Sequence, residues 1–150
     1  ILVQTGIVEG PADGVAPVFR REDGSPERVD RGADLIRVGR APSIDTPLVV
    51  QISRWDRLKD HLGVMRGFAR LDPSEARGAQ LVLAGPTVSA VADDPGGPEV
   101  LAELTAAWRA LPHETRRRIQ LVSLPMVDAQ ENQAIVNALQ RQAAIVVQKS

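Results

Sequence analysis

After Pro47 the sequence repeats one pattern four times. Short runs dominated by β-branched and aliphatic residues, at 48–52, 80–85, 119–124 and 144–148, are separated by stretches of helical periodicity. Such runs, apolar at nearly every position, are what strands buried on both faces look like. Between the first two, Asp60 is placed to cap a helix with Leu62, Met65, Phe68 and Ala69 on one face. Between the next two, Pro98 suits the first turn of a helix. Behind it Val100, Leu101, Leu104, Ala107, Trp108 and Leu111 fall on one stripe that Pro112 ends. Before the last run, Asp128 with Glu131 predicts a capping box, Val127 packing across it and Ile135, Val136 and Leu139 facing inward. The order βαβαβαβ predicts an α/β fold, a Rossmann-like, mostly parallel sheet with right-handed crossovers and flanking helices.

Residues 1–46 have a different texture. Half of the glycines and nearly half of the prolines fall at or before Pro47, among scattered charges such as Arg20-Arg21-Glu22-Asp23. Turn-formers with few apolar anchors predict a largely irregular linker or surface insertion, with at most a short strand at 35–38. The domain proper is expected at 47–150.

Composition narrows the function classes. Charged residues at 25% and apolar ones at 43% give the balance of a soluble globular protein. A net charge of -1 offers no basic field for nucleic acid, and 3% aromatic content offers no stacking platform for single strands. The absence of cysteine excludes disulfides and thiolate ligands. No apolar run approaches the roughly 20 residues of a membrane span, so a cytoplasmic location is expected. The chain starts Ile1-Leu2-Val3 without methionine and reaches Ser150 just after an apolar run, which suggests a fragment of something larger.

Ligands of such sheets bind beyond the carboxyl ends of the strands, which selects 53–59, 85–97 and 124–127. The first of these carries the most chemistry: Ser53-Arg54-Trp55-Asp56-Arg57-Leu58-Lys59-Asp60. It lacks a glycine-rich phosphate cradle, yet Arg54 and Lys59 bracket a helix start that favours an anion. A guanidinium fork and an ammonium together fit a diphosphate; otherwise the two are solvated charges paired with Asp56 or Asp60. Of the remaining candidates, His61 at the first turn of the helix either touches a ligand or, as expected, is a solvated helix-start residue. His113 and the triple arginine 116–118 read as a solvated connection. Asp93 and Asp94 are either near a ligand or simply turn formers. Trp55 either shields phosphate or covers the sheet, Trp108 is core, and Asn137 and Gln140 are surface residues.

The stretch Val50-Gln51-Ile52-Ser53-Arg54-Trp55-Asp56-Arg57-Leu58-Lys59-Asp60 resembles the S-R-x4-K turn of family-4 retaining glycosyltransferases of GT-B fold, and within them the trehalose synthases, or trehalose glycosyltransferring synthases. Leu81-Val82-Leu83-Ala84-Gly85 with Asp93-Asp94-Pro95-Gly96-Gly97, Val136-Asn137-Ala138-Leu139-Gln140-Arg141 and Val147-Gln148-Lys149-Ser150 extend the resemblance over 47–150. It implies part of the C-terminal, donor-binding domain, with Arg54 and Lys59 on the diphosphate of a nucleotide sugar such as UDP-glucose or ADP-glucose. It implies a nucleobase over Leu124, Pro125, Met126 and Val127, and close approach of the ligand at Gly85. No cofactor or metal is implied, because the two cations neutralise the phosphate oxygens. The implied reaction moves glucose to a sugar acceptor, glucose itself for trehalose. The implied partners are the donor, the acceptor and an N-terminal acceptor domain of the same chain, a homodimer being compatible; nucleic acid and membrane are not among them. The family's E-x7-E segment does not occur up to Ser150, so no catalytic residue is assigned and these residues alone are expected to be inactive. Two alternatives stand beside this reading: a trehalose phosphorylase, which uses inorganic phosphate, and a non-catalytic phosphate- or nucleotide-binding α/β module.

Overall fold

The computed structural model describes residues 1–11, 15–90 and 94–149. Its centre is built from the four apolar runs. Numbered along the whole chain, they are β4 (Leu48–Ile52), β5 (Gln80–Pro86), β6 (Ile119–Leu124) and β7 (Ile145–Val146). β4, β5, β6 and β7 are joined in parallel, and β3 (Asp34–Ile36) adds an antiparallel edge on β6. The strand order is β3-β6-β5-β4-β7, a Rossmann-like α/β sheet with helices on its faces.

Alternation along the strands divides the core in two. One face carries Leu81 and Leu83 of β5 with Ile119 and Leu121 of β6. It is covered by α2 (His61–Ala69), through Met65 and Phe68, and by α3 (Gly97–Arg109), through Leu104 and Trp108. The Trp108 indole N–H donates to the Ile119 carbonyl at 2.9 Å. After Pro112 the chain makes one turn of helix, α4 (His113–Arg116), before β6. The arginines there are not merely solvated: Arg116 lies over the Trp108 ring and Arg118 over Phe68, so their stems shield apolar surface.

The opposite face carries Leu48, Val50, Val82, Ala84, Val122 and Leu124. One helix, α5 (Ala129–Gln142), covers it with Ile135 and Leu139. One helix is too narrow for that face, and residues 1–46 close it. Among the described residues, this segment holds only a four-residue α1 (Leu2–Thr5), a hairpin of β1 (Val18–Arg20) and β2 (Pro26–Arg28), and β3. Yet Leu2, Ile7, Val8, Phe19 and Val29 are buried in this core. The expected linker is therefore a packed cover, because a parallel sheet needs apolar material on both faces. The strand expected at 35–38 lies at Asp34–Ile36.

Two local expectations change. Asp128 caps α5 by accepting from the Gln130 and Glu131 N–H groups. Glu131 does not reach back to complete a capping box; its buried carboxylate takes Arg31 and the Asp30 N–H. Val127, expected to pack across the cap, is 78% exposed. The run at 144–148 forms strand only at Ile145–Val146, which stays exposed at the sheet edge. Among the described residues no helix is long and apolar enough to cross a membrane.

Candidate functional site

The chain passes β4→β5→β6 in one direction across the sheet, then returns through α5 to put β7 on the other side of β4. The order thus reverses between β4 and β7, and the crevice beyond the strand ends at such a reversal is where open α/β sheets bind ligands. A cavity of about 410 Å³ lies there, lined by Gln51 and Ile52 at the end of β4, by Ser53 and Lys59 after it, and by residues 147–149 after β7.

The turn that shapes it is locally determined. The Ser53 N–H donates to the Ala84 carbonyl at 3.1 Å and extends the β4 ladder by one residue. Trp55 then folds back, buried, with its indole N–H on the Pro86 carbonyl at 2.8 Å. Asp56 caps the short 3₁₀ turn Arg57–Lys59 by accepting from the Leu58 N–H. Gln51, buried at the end of β4, donates to the Lys59 carbonyl at 2.7 Å and fixes that residue at the cavity wall. Asp60 adopts a left-handed φ of 51° and caps α2 by accepting from the Gly63 N–H.

The structure separates the two predicted phosphate ligands. Lys59 lines the cavity, and its ammonium has no anionic partner among the described residues. Arg54 is largely exposed and pairs with Asp94 at 3.2 Å, outside the cavity lining. Neither pairs with Asp56 or Asp60. Asp93 lies outside the described residues. The second cation of the cavity is Lys149, whose ammonium sits 2.9 Å from Asp60. That contact, with the Gly63 N–H next, holds the Asp60 carboxyl below its ordinary range. The N-terminus of α2 is thus occupied by the chain's own carboxylate, and the helix end expected to attract a ligand anion is already satisfied.

Other candidates are displaced for steric or hydrogen-bonding reasons. Gly85 does not open space for a ligand: a Cβ there would overlap the Trp55 indole, so the glycine admits Trp55. Leu124 is buried, and its carbonyl accepts from both the N–H and the hydroxyl of Thr87. The Pro125 carbonyl accepts from Asn132 at 3.1 Å. Of the expected base-reading segment, Met126 and the exposed Val127 are left with backbone groups uncommitted among the described residues. Asn137 and Gln140 are exposed on α5, and Trp108 is core. No three His, Asp or Glu side chains come together as a cation site among the described residues.

Three residues gain importance that sequence reasoning did not give them. His61, expected to be solvated, is 2% exposed, with Nε2 2.9 Å from the Ser53 hydroxyl and its ring 4.9 Å from Trp55. Burial pushes its pKa down to about 4, against the weaker pull of the Asp60 and Asp56 charges, so the ring is neutral near pH 7. Ser53 had a visible signal, its place at the head of the S-R-x4-K turn. Lys149 had only the weak one of a cation just after an apolar run. No protein-family model matches this sequence, and no curated protein matches it.

Proposed function

We propose that this chain is the donor-binding part of a retaining glycosyltransferase that moves glucose from a nucleoside-diphosphate glucose to a sugar acceptor, glucose itself where trehalose is formed. The observation that carries this reading is the cavity at the strand-order reversal, which Ser53, Lys59 and Lys149 line. Two lysines and a serine along one concave site suit an anion such as a phosphoryl group, with Lys149 exchanging Asp60 for it. In this reading Lys59 holds the diphosphate and stabilises the negative charge that grows on it as the glycosidic bond breaks. Arg54 joins by exchanging Asp94 for a phosphate oxygen, a swing open to an exposed side chain.

A second reading has its own support. The carbonyls of Leu124 and Pro125 are already engaged, which leaves a nucleobase few readers. A trehalose phosphorylase would use the same cavity for inorganic phosphate and need no base at all. A non-catalytic phosphate- or nucleotide-binding module would use the same cavity and bind without turnover.

Backbone amide NMR titrations of the chain with UDP-glucose, ADP-glucose and inorganic phosphate separate the first two readings. The transferase predicts shifts at 53–60, 126–127 and 147–149 with one nucleotide sugar, lost in the Arg54→Ala, Lys59→Ala double variant. Equal shifts with plain phosphate, confined to 53–60 and 147–149, would favour the phosphorylase. A folded chain that responds to none of the three would remove the donor-site reading.

A further inference from the structure

His61 raises a question that core packing does not answer. Its ring is buried, yet only Nε2 has a partner, the Ser53 hydroxyl; Nδ1 is equally shielded from solvent and has none. A neutral imidazole carries one proton, so one nitrogen donates and the other accepts. With the proton on Nδ1, a buried N–H would face no acceptor, a rare and costly arrangement. Ser53 would then use its own proton on Nε2 and present only lone pairs to the cavity. With the proton on Nε2, the ring donates to Ser53 Oγ and Nδ1 keeps only an idle lone pair. The Ser53 proton is then left over, and no other described group accepts it. Neither carboxylate whose charge acts on the ring, Asp60 or Asp56, makes a hydrogen bond to Nδ1.

We infer that His61 is a positioning residue that holds Ser53 as a hydrogen-bond donor to a phosphoryl oxygen in the cavity beside Lys59. The inference rests on the phosphate-binding reading of that cavity and adds a ligand to it. Ser53 makes the contact and His61 never touches the ligand. A hydroxyl with a free proton suits a phosphoryl oxygen, which only accepts. It also sits one residue beyond the end of β4, so its position is fixed by the sheet rather than by a mobile loop.

The first test needs no ligand. Long-range ¹H–¹⁵N spectra of the imidazoles in the 150-residue chain at neutral pH should show His61 protonated on Nε2 and bare at Nδ1. The opposite tautomer overturns the inference. The second test measures inorganic phosphate affinity by titration of the wild-type chain and four variants. Ser53→Ala and His61→Leu should each weaken binding by about tenfold or more, the loss of one hydrogen bond to a charged group. His61→Gln, whose amide N–H stands in for Nε2–H, should recover most of the His61→Leu loss. Unchanged affinity in Ser53→Ala overturns the inference, and so does a His61→Gln variant as weak as His61→Leu. If His61→Leu fails to fold, the tautomer and Ser53→Ala decide alone. Lys59→Ala separates the two levels of the proposal. If it does not weaken phosphate binding, or if the wild type does not bind phosphate, the phosphate-site reading fails and this inference with it. If Lys59→Ala weakens binding and Ser53→Ala does not, only the role of Ser53 and His61 falls.

Discussion

The two faces of the sheet are closed by different means. On the α2/α3 face the cover comes from the helices that directly connect the strands, and the contacts are aliphatic or aromatic: Met65 and Phe68 from one helix, Leu104 and Trp108 from the other. On the α5 face part of the cover comes from the segment before β4, and polar ties hold it there. Arg21 pairs with Asp128 at the α5 cap, Arg31 with the buried Glu131, and Gln120 donates to the Ile7 carbonyl at 2.9 Å. The first face follows from local connection, the second from residues about a hundred positions apart. The difference teaches that the irregular segment is structural, and that its attachment is the more conditional of the two.

That contrast can be broken or sharpened. The largest effect is expected from Trp108→Ala, which removes a buried indole and its bond to Ile119 and should cost about 3–5 kcal/mol in a urea melt. Because the sheet is shared, amide exchange should accelerate on both faces; acceleration confined to α2 and α3 would show that the faces are separate units. Gly85→Ala forces a methyl into Trp55 and should cost about 1–3 kcal/mol, with a change in tryptophan emission. An unchanged emission spectrum would break the claim that Gly85 exists to admit Trp55.

The smallest effects are two pH windows, one for each face. His61, on the α2/α3 face, has a folded pKa of about 4, below its ordinary 6.5. The unfolded chain therefore binds the extra proton first, and stability falls as pH drops from 6.5 toward 4. His61→Gln should flatten that slope. Asp128, on the α5 face, is held at about 2 by Arg21 first and then by the Glu131 N–H. Its contribution is complete above its ordinary value of 3.8 and fades as pH falls through 2. Exchange of the 18–28 amides should speed up only in that lower window, after α2 and α3 have already responded between pH 6.5 and 4. A single shared transition would erase the distinction.

The site was legible in part. Lys59 and Ser53 could be picked out because a strand end followed by a polar turn is a local pattern. The partnership of Lys59 with Lys149 could not, since it depends on β7 lying beside β4, and the strand order is a matter of which edge of the sheet α5 returns to. The partner of Arg54 could not be read, because Asp94 lies in the segment just before α3, forty residues on in the chain. His61 misled because polarity at a helix start usually means exposure, whereas here Trp55 folds over Gly85 and encloses it.

The sequence by itself determined the four parallel strands, the helices that connect them and the parallel α/β class, because periodicity and capping act within a turn or a strand length. It also determined that a cationic turn follows β4. The tertiary structure alone decided that residues 1–46 complete the core, that Gly85 serves Trp55, and that the cavity opens between β4 and β7. Those outcomes depend on burial, which is a property of which surfaces meet, and no window of sequence contains both surfaces.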